Sequence, residues 1–111
     1  MAGTPRREPE VNKLFRLAAK SQASALHLHV GLAPLLTVLG TTRELEMQAL
    51  TQQDLEHLLL PILNGDERQR LQGGEAVTFT YFAEKAVPFR LRLSNTSGHL
   101  RLDAHRLVAG S

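Results

Sequence analysis

Ser24-Ala-Leu-His-Leu-His-Val-Gly-Leu-Ala-Pro-Leu-Leu-Thr-Val-Leu-Gly40 is the stretch that decides how this chain folds. Leu26, Leu28 and Val30 alternate with His27 and His29, so a strand here has one apolar face and one polar face. Gly31 to Pro34 interrupts the run, and Leu36 to Leu39 reads as a second short strand closed by Gly40. Upstream, Val11, Leu14, Phe15, Leu17 and Ala18 recur at spacings of three and four, which predicts an amphipathic helix over 10–21. Helix, then strand, turn and strand, is the opening of the fold.

Downstream of Gly40, Thr41 to Gln48 reads as a polar connector with Leu45 and Met47 as anchors. Thr51-Gln-Gln-Asp54 has the form of a capping box, and Leu55, Leu58, Leu59, Ile62 and Leu63 continue it as a helix. Pro61 lacks the amide that would bond the carbonyl of His57, so the last turn is expected to bend or tighten. Asn64-Gly65 reads as a stop signal, with Asp66 capping a third helix to about Leu71.

Beyond Gly73-Gly74 the period drops from about 3.6 to 2. Val77, Phe79 and Tyr81 alternate with threonines. Phe89, Leu91 and Leu93 alternate with Arg90, Arg92 and Ser94; Leu100, Leu102 and Ala104 alternate with Arg101, Asp103 and His105. Asn95-Thr-Ser-Gly98 reads as the loop of a hairpin. The expected fold class is therefore α+β: an antiparallel sheet of about five strands with helices packed on one face.

Composition narrows the function classes. The 111 residues suit one domain, expected over 10–109 behind a polar, disordered tail over 1–9. A hydrophobic content of 42% with only 5% aromatics leaves the core to leucine and valine. The formal charge of +2 does not announce a nucleic-acid binder, and no aromatic residues are interleaved with the arginines for base stacking. Nucleic acid is not the expected partner. There is no cysteine, hence no disulfide framework or thiolate metal site, and a reducing cytoplasm is the simplest setting. No apolar run approaches the roughly 18–20 residues of a membrane span, and the N-terminus has no signal-peptide core.

These residues resemble the N-terminal domain of the PilT-type pilus-retraction and secretion ATPases, the family that includes PilB- and GspE-type motors. The family's Ala-Ser-Asp-Leu-His-Leu segment appears as Ala23-Ser24-Ala25-Leu26-His27-Leu28, and its Gly-Leu-x-Pro turn as Gly31-Leu32-Ala33-Pro34. Phe89-Arg90-Leu91-Arg92 resembles its later Phe-Arg strand, and His105-Arg106-Leu107 its closing strand. The resemblance implies a PAS-like fold that sits beside an ATPase core in a hexameric ring, touching the neighbouring subunit. It also implies that arginines on the later strands approach the nucleotide held by that core.

Two departures matter. Ala25 stands where the family has an acid, so an ion pair resting on that acid is lost. A P-loop, Gly-x-x-x-x-Gly-Lys-Ser/Thr, is absent; the Lys20-Ser21 pair lies in a helix without glycines. The Gly-x-Ser-x-Gly and His-Glu-x-x-His arrangements are absent too. The expected function is therefore non-catalytic: a protein-interaction or regulatory domain, free-standing or a fragment of an ATPase, that docks on or modulates a hexameric pilus or secretion ATPase, with no cofactor implied. The alternatives are a PAS-like small-ligand sensor, or a homodimerisation module whose sheet edge is only partly protected by Glu84 and Lys85.

Arg90, Arg92, Arg101 and Arg106 are the expected contact residues. Period 2 sends Arg90 and Arg92 to one face, and strand pairing brings Arg101 near them, whereas Arg106 need not share that face. The plainer reading is a hydrated face stitched by Asp103 and Glu84. His27 and His29 share a strand face and reach toward one point, but two ligands without a third make a poor metal site. His99 or His105 could join them through the fold. Solvent or an interface is the expected environment of that pair. His57 is expected to be simply exposed.

Overall fold

In the computed structural model, residues 9–82 and 88–107 are described. The expected tail up to residue 8, the pair Glu84 and Lys85, and Val108 lie outside them. Helix α1 spans Val11–Lys20, strand β1 Ala25–His29, β2 Leu35–Val38 and β3 Thr41–Glu44. Helix α2 (Gln52–Leu59) runs into a 3-10 turn at Leu60–Ile62, followed by α3 (Gly65–Gln72), β4 (Val77–Tyr81), β5 (Phe89–Thr96) and β6 (His99–Arg106).

The six strands form one antiparallel sheet in the order β3-β2-β1-β6-β5-β4. The α+β class holds, with six strands where about five were expected. The additional strand is β3, read from sequence as a connector. All four of its residues are exposed, so no apolar alternation marks it. It forms because Leu39 and Gly40 both take positive φ (52° and 79°), the signature of a two-residue hairpin turn whose twist matches the strands. Leucine rarely adopts that conformation, and Leu39 is 97% exposed with nothing to gain by burial. Leu39→Asn is therefore expected to stabilise the fold by about 1 kcal/mol, read as a raised urea midpoint. An unchanged midpoint would remove the strain argument.

The helices begin where local chemistry places them. Thr51 caps α2, its hydroxyl accepting from the Asp54 amide at 3.1 Å while the Asp54 carboxylate accepts from the Thr51 amide at 3.0 Å. The expected tightening at Pro61 is the 3-10 turn, in which Pro61 occupies the first turn. Helix α3 is capped by Asn64 rather than by Asp66: Asn64 and Glu67 form a second reciprocal box. The Asn64-Gly65 pair is thus a start signal as well as a stop.

Alternate residues of the central strands fill the core. Leu26, Leu28, Phe89, Leu91, Leu93 and Leu102 are completely buried beneath the helices, together with Phe15 of α1 and Leu55 and Leu59 of α2. Gln52 at the start of α2 accepts a hydrogen bond from the Leu100 amide at 2.7 Å, tying that helix to the start of β6. Asn12, a buried polar residue of α1, accepts a hydrogen bond from the Tyr81 hydroxyl of β4. One face of the sheet is consumed by the helices. The other bears the polar halves of the same strands.

Candidate functional site

Strand parity and register together build the uncovered face, the one that no helix covers among the described residues. In β1, Ala25, His27 and His29 point away from the core that takes Leu26 and Leu28. Antiparallel pairing sets His27 opposite Asp103, His29 opposite Arg101 and Ala25 opposite His105. The next strand continues the rows: Arg90 pairs with His105, Arg92 with Asp103 and Ser94 with Arg101. Thr80 and Thr78 of β4 extend them to the sheet edge.

Asp103 is the hub. Its Oδ1 lies 2.6 Å from His27 Nδ1 and 3.1 Å from His29 Nε2, and its Oδ2 accepts from Arg101 Nε at 2.9 Å. For both imidazole contacts to be hydrogen bonds, those two ring nitrogens carry the protons. The side chains of the trio are 21%, 23% and 22% exposed, so they are sheltered by their neighbours while still reachable from outside. Burial pushes the Asp103 carboxyl up, but hydrogen bonds from His27, His29 and Arg101, together with the Arg101 charge, outweigh it. The net result lies below the ordinary aspartate value, so Asp103 is an anion at neutral pH. The His27 ring stands edge-on to both His29 and His105, with centroids 5.9 and 6.0 Å apart.

The arginines divide. Arg90, Arg92 and Arg101 share the uncovered face, as period 2 predicts, and all three are exposed. Among the described residues Arg101 is paired with Asp103, whereas Arg90 and Arg92 have no carboxylate partner. Arg106 pairs with Phe89 in register, which puts it on the helix side of the sheet and apart from the other three. The stitching expected from Asp103 is present; that expected from Glu84 lies outside the described residues. His57 is exposed, its Nε2 lying 3.2 Å from a carboxylate oxygen of Glu10. Ala25, where the resembled family has an acid, is buried in the row of Thr37 and His105.

The sequence marks Asp103 only as a neighbour for the arginines. Period 2 does place Arg101, Asp103 and His105 on one face, but their meeting with His27 and His29 depends on β1 lying beside β6.

A groove of about 390 Å³ runs past His29, Arg101 and His99 at the end of this face. A second, of about 570 Å³, lies by the outer edge, lined by Leu36, Val38, Leu39 and Arg43 among others. Among the described residues, no helix is long and apolar enough to cross a membrane.

No protein-family model matches the chain. It is 27% identical over 86 residues to the type IV pilus retraction ATPase PilT of Pseudomonas aeruginosa, a match spanning 78% of this chain and 25% of that protein. The crystal structure of the pilus retraction motor PilT with bound ADP superposes with a TM-score of 0.79 at 23% identity, covering 92% of this chain and 30% of that one. The ATPase DotB of Legionella pneumophila gives a TM-score of 0.65 at 19% identity, over 96% of this chain and 32% of that one. DotB of Yersinia pseudotuberculosis gives 0.68 at 16%, over 95% and 33%. The chain is thus homologous to the N-terminal region of PilT and spans between a quarter and a third of the length of these ATPases.

Proposed function

We propose that this chain is a non-catalytic docking module for a hexameric ATPase of the pilus-retraction or secretion type, working on the cytoplasmic side. The observation that carries the reading is the likeness of these residues to the N-terminal region of PilT, in sequence and in fold. A chain that reproduces this part of a motor presents to the ring the surfaces that the motor's own N-terminal region presents.

The uncovered face is the surface to which we assign the contact. The helices bury the opposite face, whereas the uncovered one holds Arg90 and Arg92 as exposed cations without carboxylate partners among the described residues. Planar guanidinium groups on one face of a strand suit carboxylates of an acidic protein surface, each offering a two-pronged fork of donors. Against the small-ligand alternative stands the filled inner face, where Leu26, Leu28, Leu91, Leu93 and Leu102 are completely buried.

The purified chain is expected to bind PilT hexamers in a pull-down and to change their rate of ATP turnover. The Arg90→Ala/Arg92→Ala double variant, folded by circular dichroism, is expected to bind about tenfold more weakly or worse. Absence of both binding and any effect on turnover ends the docking reading. Binding that the double variant retains in full moves the contact to another surface.

A further inference from the structure

The trio on the uncovered face has the donor set of a metal centre. Two imidazole nitrogens and a carboxylate oxygen, from two adjacent strands, lie within 4.8 Å of one another. A tetrahedral zinc ion with bonds of about 2.0–2.2 Å holds its ligand atoms about 3.3 Å apart. The carboxylate contacts, 2.6 Å to His27 and 3.1 Å to His29, are somewhat closer than that. Opening them to that spacing takes a shift of the side chains, not of the strands, since all three atoms already lie within 4.8 Å of one another. Both nitrogens lie against the same oxygen; with the ring protons carried on His27 Nε2 and His29 Nδ1 instead, each of the three atoms has a lone pair to give to an ion.

The surroundings fit as well. Arg101 holds Oδ2, which leaves Oδ1 as the single oxygen offered and fixes the carboxylate's orientation, as outer contacts do in metal sites. The groove beside His29 and Arg101 borders the trio on one side, and the three side chains, 21–23% exposed, are reachable from solvent. Imidazole and carboxylate without thiolate suit a divalent first-row ion such as Zn²⁺, Co²⁺ or Ni²⁺.

We propose that His27 Nδ1, His29 Nε2 and Asp103 Oδ1 form a three-ligand site for one divalent transition-metal ion, tested first as Zn²⁺, with the remaining position open on the uncovered face. The site stands on this geometry alone and does not depend on docking to a motor.

Zinc chloride titrated into the untagged full chain by calorimetry is expected to show one ion bound per chain. His29→Gln and Asp103→Asn are expected to weaken that binding about tenfold or more, while His57→Gln leaves it unchanged. Co²⁺ in place of zinc is expected to give visible absorption in the wild type that His29→Gln loses. Should Asp103→Asn fail to fold by circular dichroism, His29→Gln carries the comparison. A wild-type chain that binds no zinc, or variants that bind it like the wild type, would overturn the proposal and leave the trio a hydrogen-bonded network.

Discussion

Phe15→Ala is expected to remove about 3–5 kcal/mol of stability, a large part of the roughly 5–15 kcal/mol that a domain of this size has in total. Phe15 is completely buried on α1, with its ring centroid 5.3 Å from that of Tyr81 and 5.2 Å from that of Phe89. It seats the first helix across the two strands of the sheet's far half. The tilted contacts add to the burial itself, and a leucine-rich core has few other rings to replace them. Urea unfolding followed by circular dichroism measures the loss. A change below about 1 kcal/mol would mean that α1 collapses into the gap or is not seated as described.

Asp103→Asn, measured with a chelator present, is expected to cost about 1.5–3 kcal/mol at neutral pH, because a charged acceptor of three hydrogen bonds becomes a neutral one. Its sharper signature is the acid limb. The folded-state pKa of Asp103 lies below the ordinary value of 3.8, so the unfolded chain takes up the proton first as pH falls. The stabilisation is present in full above that ordinary value and is lost as pH drops through the lower, folded value. The asparagine variant has no such group, so its unfolding free energy should fall less steeply below about pH 4. Parallel acid limbs for the two proteins would show that the carboxylate is not held as an anion by its neighbours.

How far the sequence reveals this molecule follows from the range of each signal. The Thr51–Asp54 box and the tightening at Pro61 lie within one or two turns of chain, and both are where local chemistry puts them. Asn64 is equally local but ambiguous, since an Asn-Gly pair both ends one helix and opens another. Strand β3 leaves no trace in the pattern because an edge strand with both faces wet needs no apolar alternation. Its turn is hidden by Leu39 standing where asparagine or glycine is usual.

The candidate site divides the same way. Parity alone puts Arg90 and Arg92 on one face, and the hairpin turn at Ser97-Gly98, both at positive φ, sets the register that adds Arg101. Arg106 falls on the other face by the same rule. The meeting of His27 with Asp103, 76 residues apart, rests on β1 and β6 becoming neighbours in the middle of the sheet. No periodicity carries that information.

The same neighbourhood governs how the polypeptide emerges from the ribosome. β1 is made before β2, but its other flanking partner is β6, the last strand of the described residues to be translated. Until then Leu26 and Leu28 sit on a ribbon with one open side, and closing so wide a loop is entropically slow. From the making of β1 until β6 follows it, a nascent copy therefore carries an adhesive edge on view, and a chaperone gripping that ribbon would have to let go when β6 arrives.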